Sequence, residues 1–253
     1  MLDDFTTDKS KEYDRWHSSV HGHEDPNKIQ LCSWHLDSLS LFSSINGLKV
    51  LEIGCGVGDF AIHLTQLGAM VTAVDFSSAA IEIAKNKATT QGYNINFQVA
   101  DAQMLSFDNE SFDVIYSCEC LEHIPDPQKA LSEMNRVLKP KGRLILTTEN
   151  YSNGMLIGWL KCWLFREPFN SGAGVQAIEH FFLFWNVANM FRENKLNILR
   201  MIGSHHVFLL LPRMHPHTFV VEKFKNTFLA KLFKPFARHV SFEAIKLPNE
   251  PTH

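Results

Sequence analysis

Cysteine is scarce in this chain, and the five present fall into no metal-ligand pairs. An odd, unpaired set argues against a disulfide-stapled scaffold and fits a reducing compartment, so a cytoplasmic protein is expected. Cys118-Glu119-Cys120 has a metal-like look, but neighbouring cysteines at a strand end are more often packing residues. Positive charge is not in excess either: 24 Lys and Arg stand against 27 Asp and Glu, a formal net charge of −3. Neutralising a nucleic-acid backbone takes clustered cations, so a nucleic-acid partner is not expected, although local basic patches stay open. No stretch long enough to span a bilayer is free of charge. The start, Met1-Leu2-Asp3-Asp4-Phe5, is acidic and lacks an apolar core, so no signal peptide is expected. Internal repeats and low-complexity tracts are missing as well. What is there is a chain of 253 residues with 45% hydrophobic content. That suffices for one large core, or one core with an elaborated lid, and implies a single domain over 1–253.

One further absence is informative. The dinucleotide fingerprint G-x-G-x-x-G does not occur at the run Val50-Leu51-Glu52-Ile53-Gly54-Cys55-Gly56-Val57-Gly58-Asp59-Phe60, which reads G-x-G-x-G instead. A buried-looking strand there ends in a glycine-spaced turn that opens into a helix. Such a turn lets backbone N–H groups approach a ligand closely, so a nucleotide-like cofactor is expected. Asp59 sits where a diphosphate would want no anion, and Glu52 precedes the turn. That polarity suits a cationic ligand with an amino-acid tail.

Later strand ends follow in order. Val71-Thr72-Ala73-Val74-Asp75 is a second strand closing on a carboxylate about 20 residues after the glycines, where an acid can accept both hydroxyls of a ribose. Phe97-Gln98-Val99-Ala100-Asp101-Ala102 ends a third strand, Asp113 to Cys118 forms a fourth, and Val137 to Leu146 makes a helix-turn-strand step. Between them, helix periodicity shows at Phe60, Ala61, Leu64 and Leu67, at Ala80, Ile81, Ala84 and Ala88, and at Ala130, Leu131, Met134 and Val137. Asp126-Pro127 supplies an N-cap and a first-turn proline. Strands alternating with helices imply a parallel sheet covered on both faces, with ligands outside the carboxyl ends of the strands.

With its hydrophobic-hydrophobic-Glu-x-Gly-x-Gly-x-Gly motif and these strand ends in sequence, the chain resembles the class I S-adenosylmethionine (SAM) methyltransferases. The resemblance implies an α/β fold: a Rossmann-like, seven-stranded, mostly parallel sheet with helices on both faces. It implies an N-terminal helical cap over 1–46, a SAM-binding core over 47–150, and a lid insert after strand five within 151–253, which also holds the C-terminal substrate-side part. The last two strands are expected at 197–202 and 240–246, the second reversing direction. Glu52, Gly54, Cys55, Gly56 and Gly58 would hold the donor at the turn, Asp75 its ribose, Phe76, Asp101 and Ala102 its adenine, with Cys118 beside them. Lys141 replaces the glycine that is commoner in the turn before strand five.

After the fourth strand, Glu119, Glu122 and His123 are spaced i, i+3 and i+4, so one helical turn would put them on a single face. Two carboxylates and an imidazole there could grip a divalent ion, which would relieve the repulsion between like charges. A fourth ligand, His180, could come from Glu179-His180-Phe181-Phe182. The stretch Glu119 to Gln128 is similar to that of the ubiquinone-biosynthesis O-methyltransferases, and the E-x-x-E-H with a distant histidine is similar to the small-RNA 2′-O-methyltransferases. Metal-free methyltransferases also carry Leu-Glu-His at this turn, with the histidine orienting substrate or capping a helix. Glu122, His123 and His180 are therefore the candidate catalytic residues; magnesium, manganese or zinc is the candidate ion; and without an ion His123 or His180 becomes the candidate general base.

The expected activity is methylation of a hydroxyl on a small, lipophilic metabolite. Metal-free N- or C-methylation, RNA 2′-O-methylation, and a SAM-binding or membrane-surface protein without turnover are the alternatives. The apolar, aromatic run Met155 to Phe169 and the segment Phe219 to Phe236 could form a lid, make peripheral contact with a membrane, or simply pack on the sheet, with Ser171-Gly172-Ala173-Gly174 as a hinge. The helical region 9–45 carries Tyr13, Trp16, His17, His21 and His23, which as part of the cap are candidates for substrate contact. Solvated histidines and core aromatics are the equal alternative. Oligomeric state is not legible.

Overall fold

The computed structural model describes residues 4–150, 163–164, 178, 180, 182–204 and 234–248. Strands β1 (Lys49–Ile53), β2 (Met70–Asp75), β3 (Asn96–Val99), β4 (Phe112–Cys118), β5 (Leu138–Glu149), β6 (Leu196–Ser204) and β7 (His239–Lys246) form a seven-stranded sheet in the order β3-β2-β1-β4-β5-β7-β6. Strands β1 to β5 pair in parallel, and β7 runs antiparallel to both its neighbours. The expected mostly parallel sheet with a reversed last strand is therefore present. Around it lie α1 (Asp4–His21), α2 (Ser33–Leu39), α3 (Asp59–Gln66), α4 (Ser78–Thr90), α5 (Pro127–Val137) and α6 (Phe184–Glu193).

Alternation along the strands divides the apolar side chains between two cores. Leu51, Ile53, Ile115 and Leu144 pack with Leu131, Met134 and Val137 of α5 and Phe191 of α6. Val50, Val114, Tyr116 and Ile145 face the other way, onto Phe60 and Leu64 of α3 and Ile81 and Ala84 of α4. Successive residues of a strand point to opposite faces, so near-continuous apolar runs are what a sheet covered on both sides requires. Helix starts follow local chemistry. The Asp126 carboxylate accepts from Lys129 N at 3.0 Å with Pro127 in the first turn, a cap contributing about 1 kcal/mol. The expected helical region 9–45 resolves into two helices, α1 and α2, with residues 22–32 non-helical between them.

Helix α1 is fastened across the strand ends by polar contacts. Asp14 accepts from Ser77 Oγ at 2.7 Å, Ser78 Oγ at 3.1 Å and Ala79 N at 3.0 Å, so a residue of α1 caps α4 from outside. Partial burial pushes the Asp14 carboxyl up, but these donors outweigh it and leave the group below its ordinary pKa. Just after α1, Glu24 reaches Lys87 Nζ at 3.1 Å; Lys87 is 1% exposed and also holds Asp59 at 2.9 Å. Lys141 occupies the turn before the long run of β5 with φ +63°, the left-handed conformation that explains why glycine is the commoner residue there. Of the insert Met155 to Phe169 only Trp163 and Leu164 are described, both exposed. The rest of that insert, the proposed hinge, and the second apolar segment before Lys234 lie outside the described residues.

Candidate active site

The turns leaving β1 to β4 meet α1 and the region around α2 in one cleft of about 340 Å³, within the range of nucleotide-sized sites. At its centre is the glycine turn. Gly54 N and Cys55 N donate to Val74 O at 2.9 and 3.0 Å, folding the turn against β2, and Gly54 has φ +74°. A Cβ on Gly54 would lie 2.5 Å from Cys120 Sγ, so only glycine lets the segment after β4 close on the turn. Glu52 is 4% exposed and lines the cleft; its Oε2 is buried without a hydrogen-bond partner among the described residues. Burial, then the nearby Asp75 carboxylate, raises its pKa well above the ordinary value. An acceptor oxygen orphaned in a cleft wall suits a ligand that brings its own N–H or O–H donors.

Asp75 closes β2 with both oxygens engaged: Gly56 N donates to Oδ2 at 2.8 Å and Ser77 N to Oδ1 at 2.9 Å. The acid therefore ties the glycine turn to the start of α4 while it faces the cleft. Phe76 follows, met edge-on by Tyr13 with ring centroids 6.4 Å apart. Asp101 accepts from Gln103 N at 2.8 Å, and Ala102 and Cys118 complete the wall. Burial pushes the Cys55 and Cys118 thiols far up, so neither is a nucleophilic thiolate at neutral pH. Glu52, Gly54, Cys55, Gly56, Asp75, Phe76, Asp101, Ala102 and Cys118 thus share one cleft. Gly58 is elsewhere. It caps α3 with φ +83°, and a Cβ there would come within 2.8 Å of Ala84 Cβ and 3.0 Å of Phe97 Cζ, so it serves helix packing.

The segment after β4 does not form the helical turn that its spacing suggested. Glu119 has φ +49°, and the turn that follows, Leu121–His123, is a tighter 3-10 turn. Consequently Glu119, Glu122, His123 and His180 do not converge on one point. His123 Nδ1 is bonded to Ile178 O at 2.8 Å, and His180 Nε2 to Ile124 O at 2.9 Å. A ring nitrogen bonded to a carbonyl must carry hydrogen, so these atoms are not free to ligate an ion. Glu119 and His123 line the cleft; Glu122 and His180 do not.

A different acidic group assembles instead, one with no sequence motif. Ligand atoms of Glu119, Glu149 and His239 all lie within 4.8 Å of one another, brought together because Glu149 on β5 pairs with His239 on β7. Glu119 Oε2 is 3.0 Å from His239 Nδ1, and Glu149 Oε1 accepts from Arg238 at 2.9 Å. Glu122 is 2% exposed behind them, taking Thr148 Oγ1 at 2.8 Å on Oε2. Its Oε1 and Glu119 Oε1 are both buried without a donor among the described residues, although the two carboxyls lie close enough to share a proton. Burial and the neighbouring Glu119 push Glu122 up to about 8, while burial and Glu149 raise Glu119. Burial takes His239 down to about 4, so its imidazole is neutral at pH 7. Trp34 stacks on that ring at 4.5 Å and lines the cleft with Gln30, Cys32, His35 and Phe60. The signal for Glu149 and His239 was present only as polar residues at the end of β5 and the start of β7.

Residues 51–146 match the family described as a methyltransferase domain. A ubiquinone biosynthesis O-methyltransferase of Coxiella burnetii is 42% identical over 107 residues, covering 42% of this chain and 46% of that protein. The chain thus matches about half the length of the curated relatives. A SAM-dependent methyltransferase structure from Methanosarcina mazei shares the fold at TM-score 0.61 and 23% identity, over 83% of this chain and 96% of that one. The [4+2]-cyclase SpnF shares it at TM-score 0.64 and 19% identity, over 96% and 97%. Residues 51–146 are thus similar to a methyltransferase domain, on a fold shared with these solved structures. Among the described residues, no helix is long and apolar enough to cross a membrane.

Proposed function

We propose that the protein transfers the methyl group of SAM to a hydroxyl oxygen of a small, lipophilic acceptor. The observation that carries this reading is the orphaned Glu52 oxygen beside the glycine turn, with Asp75 next to it in the same cleft. Glu52 and the turn would hold the amino-acid end of the donor, Asp75 its ribose, and Phe76, Asp101 and Ala102 its adenine. When bound, SAM supplies a methyl group on a sulfonium, electrophilic without further activation. The chain must then bring an oxygen in line with it and remove a proton. His123 would take that proton: it lines the cleft, and with the Nδ1 hydrogen committed to Ile178 O, Nε2 is left as the ring's acceptor. His180 supports the same loop through Ile124 O and Glu122 O. Trp34, His35 and Phe60 give the acceptor end an apolar, aromatic wall. The name of the Coxiella burnetii relative supports oxygen as the accepting atom.

A second reading adds a divalent ion, favoured by ligand atoms of Glu119, Glu149 and His239 that lie within 4.8 Å of one another. Oxygen and imidazole donors from Glu119, Glu149 and His239 suit magnesium, manganese or zinc. An ion held there would favour the ionised form of an acceptor hydroxyl. The cytoplasm, with the apolar insert against a membrane face, is the setting that would bring a lipophilic acceptor to the cleft. Transfer of labelled methyl from SAM to a panel of phenols and catechols, with and without EDTA, tests both readings. Transfer that survives EDTA removes the ion, transfer to amines alone removes the oxygen acceptor, and bound SAM with no transfer leaves a binding protein.

A further inference from the structure

Helix α1 lays one residue per turn along the cleft. Tyr13, His17 and His21 are four apart, share one helix face, and all line the cavity. Tyr13 meets Phe76, and His21 bonds Glu24 at 2.6 Å. Between them His17 lies over the glycine turn, its Nε2 3.8 Å from where a Cβ of Gly56 would be. Its orientation is set: Nδ1 is 3.0 Å from Tyr13 O, and Trp16 packs edge-on at 4.8 Å. A carbonyl only accepts, so Nδ1 carries the hydrogen and Nε2 presents a bare lone pair. The residue is 8% exposed, and burial holds its pKa below the ordinary value despite the pull of Asp75, which keeps the ring neutral. Among the described residues no group bonds Nε2.

The neighbouring acid is already partly engaged. Each Asp75 oxygen already accepts one backbone N–H, from Gly56 and from Ser77. A ribose diol brings two O–H donors, and a second acceptor above the turn lets both be bonded without crowding the carboxylate. We propose that His17 is a cofactor-positioning residue whose Nε2 accepts a hydrogen bond from a ribose hydroxyl of the methyl donor, opposite Asp75. The proposal rests on the reading of this cleft as the donor site and adds α1 to it. Donor exchange then requires α1 to lift from the strand ends, where Asp14 fastens it.

The test is calorimetric titration of the full chain and its variants with S-adenosylhomocysteine, 5′-methylthioadenosine and 5′-methylthio-2′,3′-dideoxyadenosine. His17→Phe should weaken the first two equally, by about tenfold, the value of one hydrogen bond. It should leave the dideoxy compound unchanged, and His17→Gln, which keeps an acceptor, should recover most of the loss. Equal weakening of all three compounds would make His17 a packing residue and overturn the proposal. Weakening of S-adenosylhomocysteine alone would move the contact to the amino-acid tail and overturn it as well. If the unaltered protein binds none of the three, the donor reading itself falls, and this inference with it.

Discussion

Asp75→Asn separates the two duties that the structure gives this residue. Asp75 is 9% exposed and accepts Gly56 N at 2.8 Å and Ser77 N at 2.9 Å. Asparagine keeps one acceptor oxygen, so in either orientation of the amide one backbone N–H faces an NH2 group instead of an oxygen. A buried donor left unbonded costs about 1–3 kcal/mol, and the surviving bond loses its charge assistance, roughly half its strength. Together the expected loss of stability is about 2–4 kcal/mol. For a chain of this size that is a fall in Tm of roughly 4–16 °C. Urea unfolding gives the stability directly, and calorimetric titration with S-adenosylhomocysteine gives the second duty. If Asp75 also bonds the ribose, affinity should fall roughly 5- to 150-fold, equivalent to about 1–3 kcal/mol. A variant as stable as the parent to within about 0.5 kcal/mol would refute the claim that this carboxylate holds the glycine turn. A variant destabilised but with unaltered affinity would remove Asp75 from the ligand-binding set while leaving the turn argument standing.

Lys87→Met should cost about 3–5 kcal/mol in urea unfolding, because it strands the Asp59 and Glu24 carboxylates beside one another, and adding Asp59→Asn should recover part of the loss. A cost below about 1 kcal/mol would mean that water reaches the pair. Lys141→Gly should stabilise the protein by about 0.5–1 kcal/mol by relieving φ +63°, whereas Lys141→Ala should be neutral; equal effects would put the turn's strain elsewhere. His35 is taken from 6.5 down to about 4 by burial, then by His239. Its charge is disfavoured in the fold, so stability is intact above pH 6.5 and drains as pH falls toward 4. His35→Asn, which keeps an acceptor for Cys32 N, should flatten the stability curve in that window by up to about 1.4 kcal/mol per pH unit. Parallel curves for the two proteins would show that His35 titrates normally.

How much of this was legible depended on whether a feature was local. Strand ends at Asp75 and Cys118 and the cap at Asp126 could be read because each rests on a few adjacent residues and a period of two or 3.6, whereas the reversed last strand was expected only from the family resemblance. That the glycine turn and the strand ends share one cleft was legible for the same reason: one turn and the residues immediately beyond three strands line it. Gly58 was assigned to the ligand because its neighbours Gly54 and Gly56 lie there, yet its missing Cβ makes room for Ala84 and Phe97, partners from α4 and β3 that spacing cannot show. Trp34 and His35 carried no motif at all. They reach the cleft because α2 is drawn onto the sheet by Ser38, whose hydroxyl meets Tyr116 at 3.0 Å inside the core.

The shape of the segment after β4 was misjudged for a reason that lies in its backbone. Spacing of i, i+3 and i+4 converges only if the backbone is helical, and one residue decides that. Glu119 at φ +49° turns its carboxyl away from His123 and toward the β5–β7 ladder, where Glu149 faces His239. A non-glycine residue held there costs on the order of 1–2 kcal/mol, and such strain persists only where the surroundings enforce it. Here Glu119 N bonds Thr147 O at 2.9 Å, and the side chain is gripped by the group it joins. In that group Arg238 bonds Glu149 and also favours the ionised form of Glu119, His239 is held neutral by burial, and Glu119 and Glu122 lie close to one another. Those two carboxylates must share a proton or a cation, since both cannot stay ionised so close in a buried site.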